Sequence, residues 1–440
     1  MSLHIKPEEV HAALGRTILA DGFEFVLDLD KSKGSWIHDS RSGRKFLDLF
    51  TFFASSPIGY NHPRLVHPET QKKLGRVSVN KPSNSDVYTT ELAEFVETFR
   101  EIAMPKSFRY GFFVEGGSVA VENALKVAFD YKVRRNFSKG AKNEVGAKVV
   151  HFRNAFHGRT GYTLSLTNTV PDKIAYFPKF NWPRFETPGL RFPADAQVLK
   201  DVAAKEEEIL GQIRDLGKRE GDDVACLIME TIQGEGGDVH FRKEFYQGLR
   251  KICDEFDWLL IFDEVQAGMG LTGKMWAFEH FGVEPDIAVF GKKSQVCGLM
   301  SRDTVDREPK NVFHVPSRIN STWGGNLIDM VRCQIYLEVI RDEKLLENTT
   351  KQGSRLLTGL EKIQTESGGK VWNARGRGLM AAFSFSQSDL RGKFLENLYE
   401  QGAIMLPCGS DSVRFRPPLT ISTEEIDQAL TMIQKAVKAL

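Results

Sequence analysis

Two side chains of opposite charge close two short apolar runs, and together they define a chemistry. Residues 258–262 are apolar, short enough for one buried strand, and lead into Asp263-Glu264. A buried strand seldom ends in two carboxylates without a partner for one of them. The run Ile287–Phe290 follows and leads into Gly291-Lys292-Lys293. As neighbouring parallel strands, the two runs would bring an acid and an amine to one sheet edge, where α/β proteins bind ligands. A neutral lysine amine adds to a carbonyl carbon, and a carboxylate keeps a heterocyclic nitrogen protonated. The competing reading is a surface acid and a surface lysine after two core strands.

One cofactor requires both groups. Pyridoxal 5′-phosphate is held covalently by a lysine, and a carboxylate at its pyridine nitrogen lets the ring accept electrons from the reacting carbon. Lys292 is the catalytic candidate and Asp263 the pyridinium partner. Val265 shares a face with Asp263 if the strand continues, and would pack on the ring. The stretch DEVQAGMG starting at Asp263, with PDIAVFGK ending at Lys292, resembles the class III (ω-amino acid) aminotransferases, a fold-type-I pyridoxal phosphate family. The resemblance covers essentially the whole chain.

The resemblance assigns further expectations. In 112–131, a strand meets a glycine turn and then a helix with Val121, Leu125, Ala128 and Phe129 on one face. Gly117 and Ser118 therefore stand at a helix N-terminus, where free N–H groups and the macrodipole favour a phosphate. The turn is neither GxGxxG nor GxxxxGK, so it does not read as a nucleotide site. It falls where the family grips the cofactor phosphate, with Glu115 and Gly116 replacing the asparagine and serine common there. Phe156, in the stretch FHGR ending at Arg159, is implied to stack on the pyridine ring opposite Val265, and Gln266 to contact the phenolic oxygen.

Arg159 is implied to hold a donor carboxylate far from its reacting amine, and Arg414 the α-carboxylate of glutamate or 2-oxoglutarate. Arginine suits both tasks because its planar fork binds a carboxylate bidentately. Arg416 shares the strand face of Arg414, and spacing alone does not separate them. Glu235 is implied to pair with and mask Arg414 when the donor lacks a second carboxylate. Thr322 is implied to reach the neighbouring subunit's phosphate, which makes the protein a homodimer. Lys293 is a positive neighbour that would depress the pKa of Lys292.

FGKKSQVCG and SRINSTWGGN most resemble family members whose donor is the ε-amine of L-lysine and whose acceptor is 2-oxoglutarate. The implied reaction is ping-pong, giving L-glutamate and 2-aminoadipate 6-semialdehyde, which cyclises to piperideine-6-carboxylate. Ornithine or 4-aminobutyrate as donor is the nearest alternative. A non-transaminating pyridoxal phosphate enzyme and a cofactor-free binding protein are the others. GxSxG and HExxH are absent, so hydrolase readings are weak. His62 and His67 have no third candidate ligand, so no metal site is expected.

These groups need an α/β scaffold: a mostly parallel central sheet in a large domain, 61–334, and a smaller α+β domain built from 1–60 and 335–440. The pattern predicts a helix over 7–20, alternating strands at 24–30 and 35–39, strands at 109–114, Lys148–Phe152, Val224–Glu230, 378–385 and 413–416, and helices at 196–219 and 327–341. A chain of 440 residues, 41% hydrophobic and 27% charged with net charge +1, gives no sign of a nucleic-acid or membrane partner. Five scattered cysteines without CxxC suit a reducing, cytoplasmic setting. The start of the chain lacks an apolar leader segment, and no apolar run reaches about 18 residues.

Overall fold

The computed structural model describes residues 4–440. Its largest sheet has seven strands in the order Phe108–Val114, Cys297–Arg302, Ile287–Phe290, Leu259–Asp263, Val224–Glu230, Lys148–Phe152 and Arg184–Phe185. Neighbours pair in parallel from Ile287–Phe290 onward, and Cys297–Arg302 runs antiparallel to both of its neighbours. Every residue of Val224–Glu230, Leu259–Asp263 and Ile287–Phe290 is buried. Such strands are covered on both faces, which is why they read as unbroken apolar runs rather than alternating ones. Burying each Val, Leu or Ile stabilises the sheet by about 1.5–3 kcal/mol.

The helix Gly117–Ser138 carries the chain from one end of the sheet towards the other. It is not the one-faced helix expected: Ala120, Val121, Ala124, Leu125, Val127, Ala128 and Tyr131 are all buried, and Phe129 is only partly so. Its position under the sheet explains the wider apolar surface.

Two smaller sheets complete the molecule. Trp36–His38 pairs antiparallel with Lys45–Asp48, which pairs in parallel with Ala403–Ile404 from the far end of the chain. Val371–Arg377, Met380–Phe385, Ser412–Phe415 and Leu406–Cys408 form a four-stranded antiparallel sheet.

The N-terminus departs from the pattern. The helix expected over 7–20 is a short turn, Pro7–Glu9, followed by Val10–Leu14. Gly15 follows, and Ile18 and Leu19 are 56% and 84% exposed, so nothing in the described chain packs on that stripe and sustains it. Residues 24–30 form no strand, only the bridge Leu27↔Asp39. Asp28 Oδ1 accepts from the backbone N–H of Asp30 and Lys31, which turns the chain instead.

The segment after Lys45–Asp48 holds a feature no propensity announces. Thr51, Phe52, Phe53 and Ala54 all have positive φ, 44°, 51°, 60° and 68°. Left-handed backbone costs L-residues roughly 1–2 kcal/mol each. Asp48 Oδ1 accepts from the N–H groups of Phe50 and Thr51 at 2.9 and 2.8 Å, and Thr51 Oγ1 donates to the Arg416 carbonyl at 2.6 Å.

Arg416, just past Ser412–Phe415, makes a paired contact with Asp238: Nη1 lies 2.8 Å from Oδ2 and Nη2 2.5 Å from Oδ1. Both side chains are almost wholly buried. Arg416→Met strands the Asp238 carboxylate and is expected to cost about 3–5 kcal/mol. Chemical denaturation checks this, with the double variant Arg416→Met/Asp238→Leu recovering most of the loss.

Candidate active site

Strand ends build the site. The C-terminal ends of Phe108–Val114, Lys148–Phe152, Val224–Glu230, Leu259–Asp263 and Ile287–Phe290 release Gly116–Ser118, Phe156–Arg159, Glu230, Asp263–Gln266 and Lys292 into one cavity of ≈ 520 Å³. Asp263 pairs opposite Val289 across the parallel strands, and Lys292 follows three residues later. The acid and the amine thus share the sheet edge because the two runs are adjacent and parallel.

Asp263 is 5% exposed. Its Oδ2 lies 2.8 Å from His157 Nδ1, and its Oδ1 accepts from Val265 N at 3.1 Å. His157, which the sequence reading passed over, is thus the residue that orients this carboxylate, and its Nε2 is buried without a partner. The strand stops at Asp263, so Val265 reaches the cavity from a turn rather than from a continued strand. Glu264 faces away and clamps the turn, accepting from Thr231 Oγ1, Ala277 N and Phe278 N at 2.6–2.9 Å. Glu230 does the same for two loops, accepting from Phe156 N and Gly234 N, both at 2.9 Å. Burial pushes both glutamates up to about 7.

In the same cavity Gly116, with φ 94°, precedes the helix Gly117–Ser138. A Cβ on Gly117 would stand 3.3 Å from Val265 Cγ1, and one on Gly158 would stand 2.2 Å from Ser118 Oγ. Ser118 Oγ meets Thr160 Oγ1 and Thr163 Oγ1, each at 2.7 Å. A helix N-terminus with bare glycine backbone and hydroxyls, a buried carboxylate and a lysine, all lining one cavity, fit pyridoxal phosphate.

Lys292 carries φ 53° and Gln295 φ 61°, left-handed backbone at the cavity lysine. Enclosure lowers the Lys292 amine to about 8 from its ordinary 10.5, and the positive charges of Arg414 and Arg416 add to that. Lys293 is not the neighbour responsible. Its Nζ turns away and donates to the carbonyls of Gln266 at 2.7 Å and Ala54 at 3.4 Å, tying the left-handed turn to the site.

A second cavity of ≈ 490 Å³ shares Phe156, Arg159, Gln266 and Lys292 with the first and adds Phe53, Lys173, Glu235, Arg391 and Arg414. Arg414 is 7% exposed, has no ion-pair partner among the described residues, and meets Gln266 Oε1 only at 3.4 Å. Arg416 is already paired with Asp238 and lines neither cavity. Arg159 lines both cavities and makes no ion pair among the described residues. The expected Glu235–Arg414 pair is not formed. Glu235 Oε1 instead accepts from Lys173 Nζ at 2.5 Å and Thr169 Oγ1 at 2.8 Å. Thr322 lies on an exposed segment and lines neither cavity of its own chain.

The lowered amine has a direct consequence. Covalent capture of an aldehyde by cofactor-free protein, trapped with borohydride, needs neutral Lys292. Its rate is expected to rise with pH through an apparent pKa near 8. Arg414→Leu is expected to move that midpoint upward, since it removes a cation that disfavours the ammonium.

Comparison with known proteins places this geometry. The family model for aminotransferase class-III matches residues 19–437. An L-lysine-epsilon aminotransferase of Mycobacterium tuberculosis is 51% identical over 432 residues, covering 98% of this chain and 96% of the relative. One from Streptomyces clavuligerus is 44% identical over 439 residues, covering 99% and 96%. The solved structure of lysine aminotransferase from M. tuberculosis in the internal aldimine form superposes with a TM-score of 0.97 at 50% identity, covering 99% of this chain and 100% of that one. A pyridoxal phosphate cavity at the strand ends and a full-length family match lead to one conclusion: this chain belongs to the class-III aminotransferases.

Proposed function

We propose that the protein transfers the ε-amine of L-lysine to 2-oxoglutarate, yielding 2-aminoadipate 6-semialdehyde, which cyclises to piperideine-6-carboxylate, and L-glutamate. A charge imbalance carries this reading. The second cavity gathers Arg159, Lys173, Lys292, Arg391 and Arg414 against Glu235, its single acid among the described residues. A buried arginine without a carboxylate calls for an anionic ligand. Buried Arg414 and exposed Arg159, both lining the cavity beside a nucleophilic lysine, suit an acceptor with two carboxylates and one carbonyl. The donor follows the relatives at 51% and 44% identity.

Bound pyridoxal phosphate supplies the electron sink and the carbonyl that carries the amino group between the half-reactions. The N–H groups and hydroxyl at Gly117 and Ser118 would hold its phosphate. Phe156 and Val265 would cover the two ring faces, and Gln266 the phenolic oxygen. Asp263, held by His157, would accept from the protonated ring nitrogen. Lys292 would move the proton at the substrate carbon as general base and then acid. Arg159 would hold the carboxylate of L-lysine while Glu235 neutralises Arg414. With Glu235 withdrawn, Arg414 would take the α-carboxylate of 2-oxoglutarate.

The protein is further read as a homodimer in which Thr322 completes the partner's phosphate site, and as cytoplasmic. All five cysteines are free thiols, which supports the second point. Among the described residues no helix is long and apolar enough to cross a membrane.

Two experiments test the reading. Titrating the holoenzyme with L-lysine is expected to abolish its absorbance near the visible edge, with 2-oxoglutarate restoring it and piperideine-6-carboxylate accumulating. L-ornithine and 4-aminobutyrate should act weakly, and the reverse order would give the donor to a shorter amine. For the interface, Lys292→Ala and Thr322→Val subunits are mixed. If Thr322 acts across the dimer, mixed dimers regain one intact site and an activity above either parent. If it acts within its own chain, mixing restores nothing.

A further inference from the structure

Glu235 has two cations within its surroundings and is attached to the less buried one. Its backbone is fixed: Gly234 N donates to Glu230 Oε2 at 2.9 Å, and Gly409 N donates to the Glu235 carbonyl at 2.8 Å. Its side chain is held from across the cavity by segment 169–173. Thr169 Oγ1 lies 2.8 Å and Lys173 Nζ 2.5 Å from the same carboxylate oxygen. Lys173 ends the single turn Pro171–Lys173, and its ammonium stands 5.7 Å from the centre of the Phe156 ring. Glu235 is its ion-pair partner, and no other carboxylate pairs with it among the described residues. Arg414 meanwhile lacks an anion.

We propose that Lys173 and Thr169 form a latch that holds Glu235 off Arg414, so that the resting site is set for a dicarboxylate acceptor. The proposal rests on the transamination reading above. One carboxylate cannot serve two separated cations. A dicarboxylate can pair with Arg414 only while Glu235 stays with Lys173. A donor with a single carboxylate leaves Arg414 buried without an anion unless Glu235 leaves the latch. Each substrate thus biases a two-position side chain, and the latch sets the starting population. Lys173 is in this sense a positioning residue, acting on acceptor and donor with opposite sign. Lys173 and Thr169 carry no such role in the sequence pattern, because their partner lies more than sixty residues away.

The test uses the holoenzyme and glutarate, a dicarboxylate without the reacting carbonyl. Lys173→Met keeps the stem and removes the ammonium. Glutarate affinity, measured by calorimetry, is expected to fall about tenfold, within the usual range for coupling between sites. In separate half-reactions the KM for 2-oxoglutarate is expected to rise and that for L-lysine to fall, and Lys173→Arg to restore both. In a Glu235→Gln background, where nothing masks Arg414, Lys173→Met is expected to leave glutarate binding as it was. A loss of the same factor in that background means that Lys173 attracts the anion directly, and overturns the latch. So does an unchanged glutarate affinity in the single variant, or a rise in both KM values together. If wild-type protein does not turn over L-lysine, the donor assignment fails, while the glutarate cycle still decides the latch.

Discussion

The parallel pairing of Leu259–Asp263 with Ile287–Phe290 is the constraint from which the site follows. Register places Asp263 opposite Val289, so the carboxylate and the lysine that follows Phe290 emerge on the same edge. A slip of one residue would turn one of these side chains to the other face of the sheet. The flanking strands add their own ends to this edge: Val114 delivers the glycine turn, Phe152 the Phe156–Arg159 loop, and Glu230 a buried clamp. The site is thus carried on five strand ends whose relative positions are set by backbone hydrogen bonds, with the loops that follow them held by Glu230 and Glu264.

Around this frame the side chains divide between holding and waiting. Glu230, Glu264, Asp238 and Asp48 are buried acids whose oxygens are satisfied by backbone N–H groups, hydroxyls or an arginine. They fix loops. Buried Arg414 has no such partner among the described residues, and Lys292 is pushed toward its neutral form by enclosure and by nearby cations. A folded chain tolerates an unpaired buried cation where a ligand will supply the anion. The contrast between Arg416, paired with Asp238 through both terminal nitrogens, and Arg414, two residues earlier and without an ion-pair partner among the described residues, shows the division most directly.

Backbone strain follows the same geography. The left-handed turn Thr51–Ala54 presents Phe53 to the second cavity, with its ring centre 6.0 Å from Lys292 Nζ. Lys293 and Gln295, just after Lys292, donate to the carbonyls of Ala54 and Ser55. The unfavourable φ values of Thr51–Ala54 and of Lys292 and Gln295 are therefore tied to one another through side chain to backbone hydrogen bonds, so the strain is local to the site and is over-determined there.

By itself the sequence determined the sheet and its edge. Strands covered on both faces leave unbroken apolar runs, so Val224–Glu230, Leu259–Asp263 and Ile287–Phe290 were legible, as were the charged residues that close them and the glycine turn before Gly117–Ser138. Local pattern could not say which carboxylate meets which cation. Arg416 is paired by Asp238 while Arg414 is left without an acid among the described residues, and Glu235 is held by Lys173 and Thr169, all remote in the chain. His157 became visible as the partner of Asp263 only when the loop after Lys148–Phe152 reached the end of Leu259–Asp263, two strands away in the sheet. The helix expected over 7–20 stopped at Leu14 because helical spacing without a surface to bury against does not sustain a helix. Periodicity records which face is covered, and so it survives in the sequence. Pairing of charges and left-handed turns depends on groups brought together across hundreds of residues, and these only the tertiary structure decides.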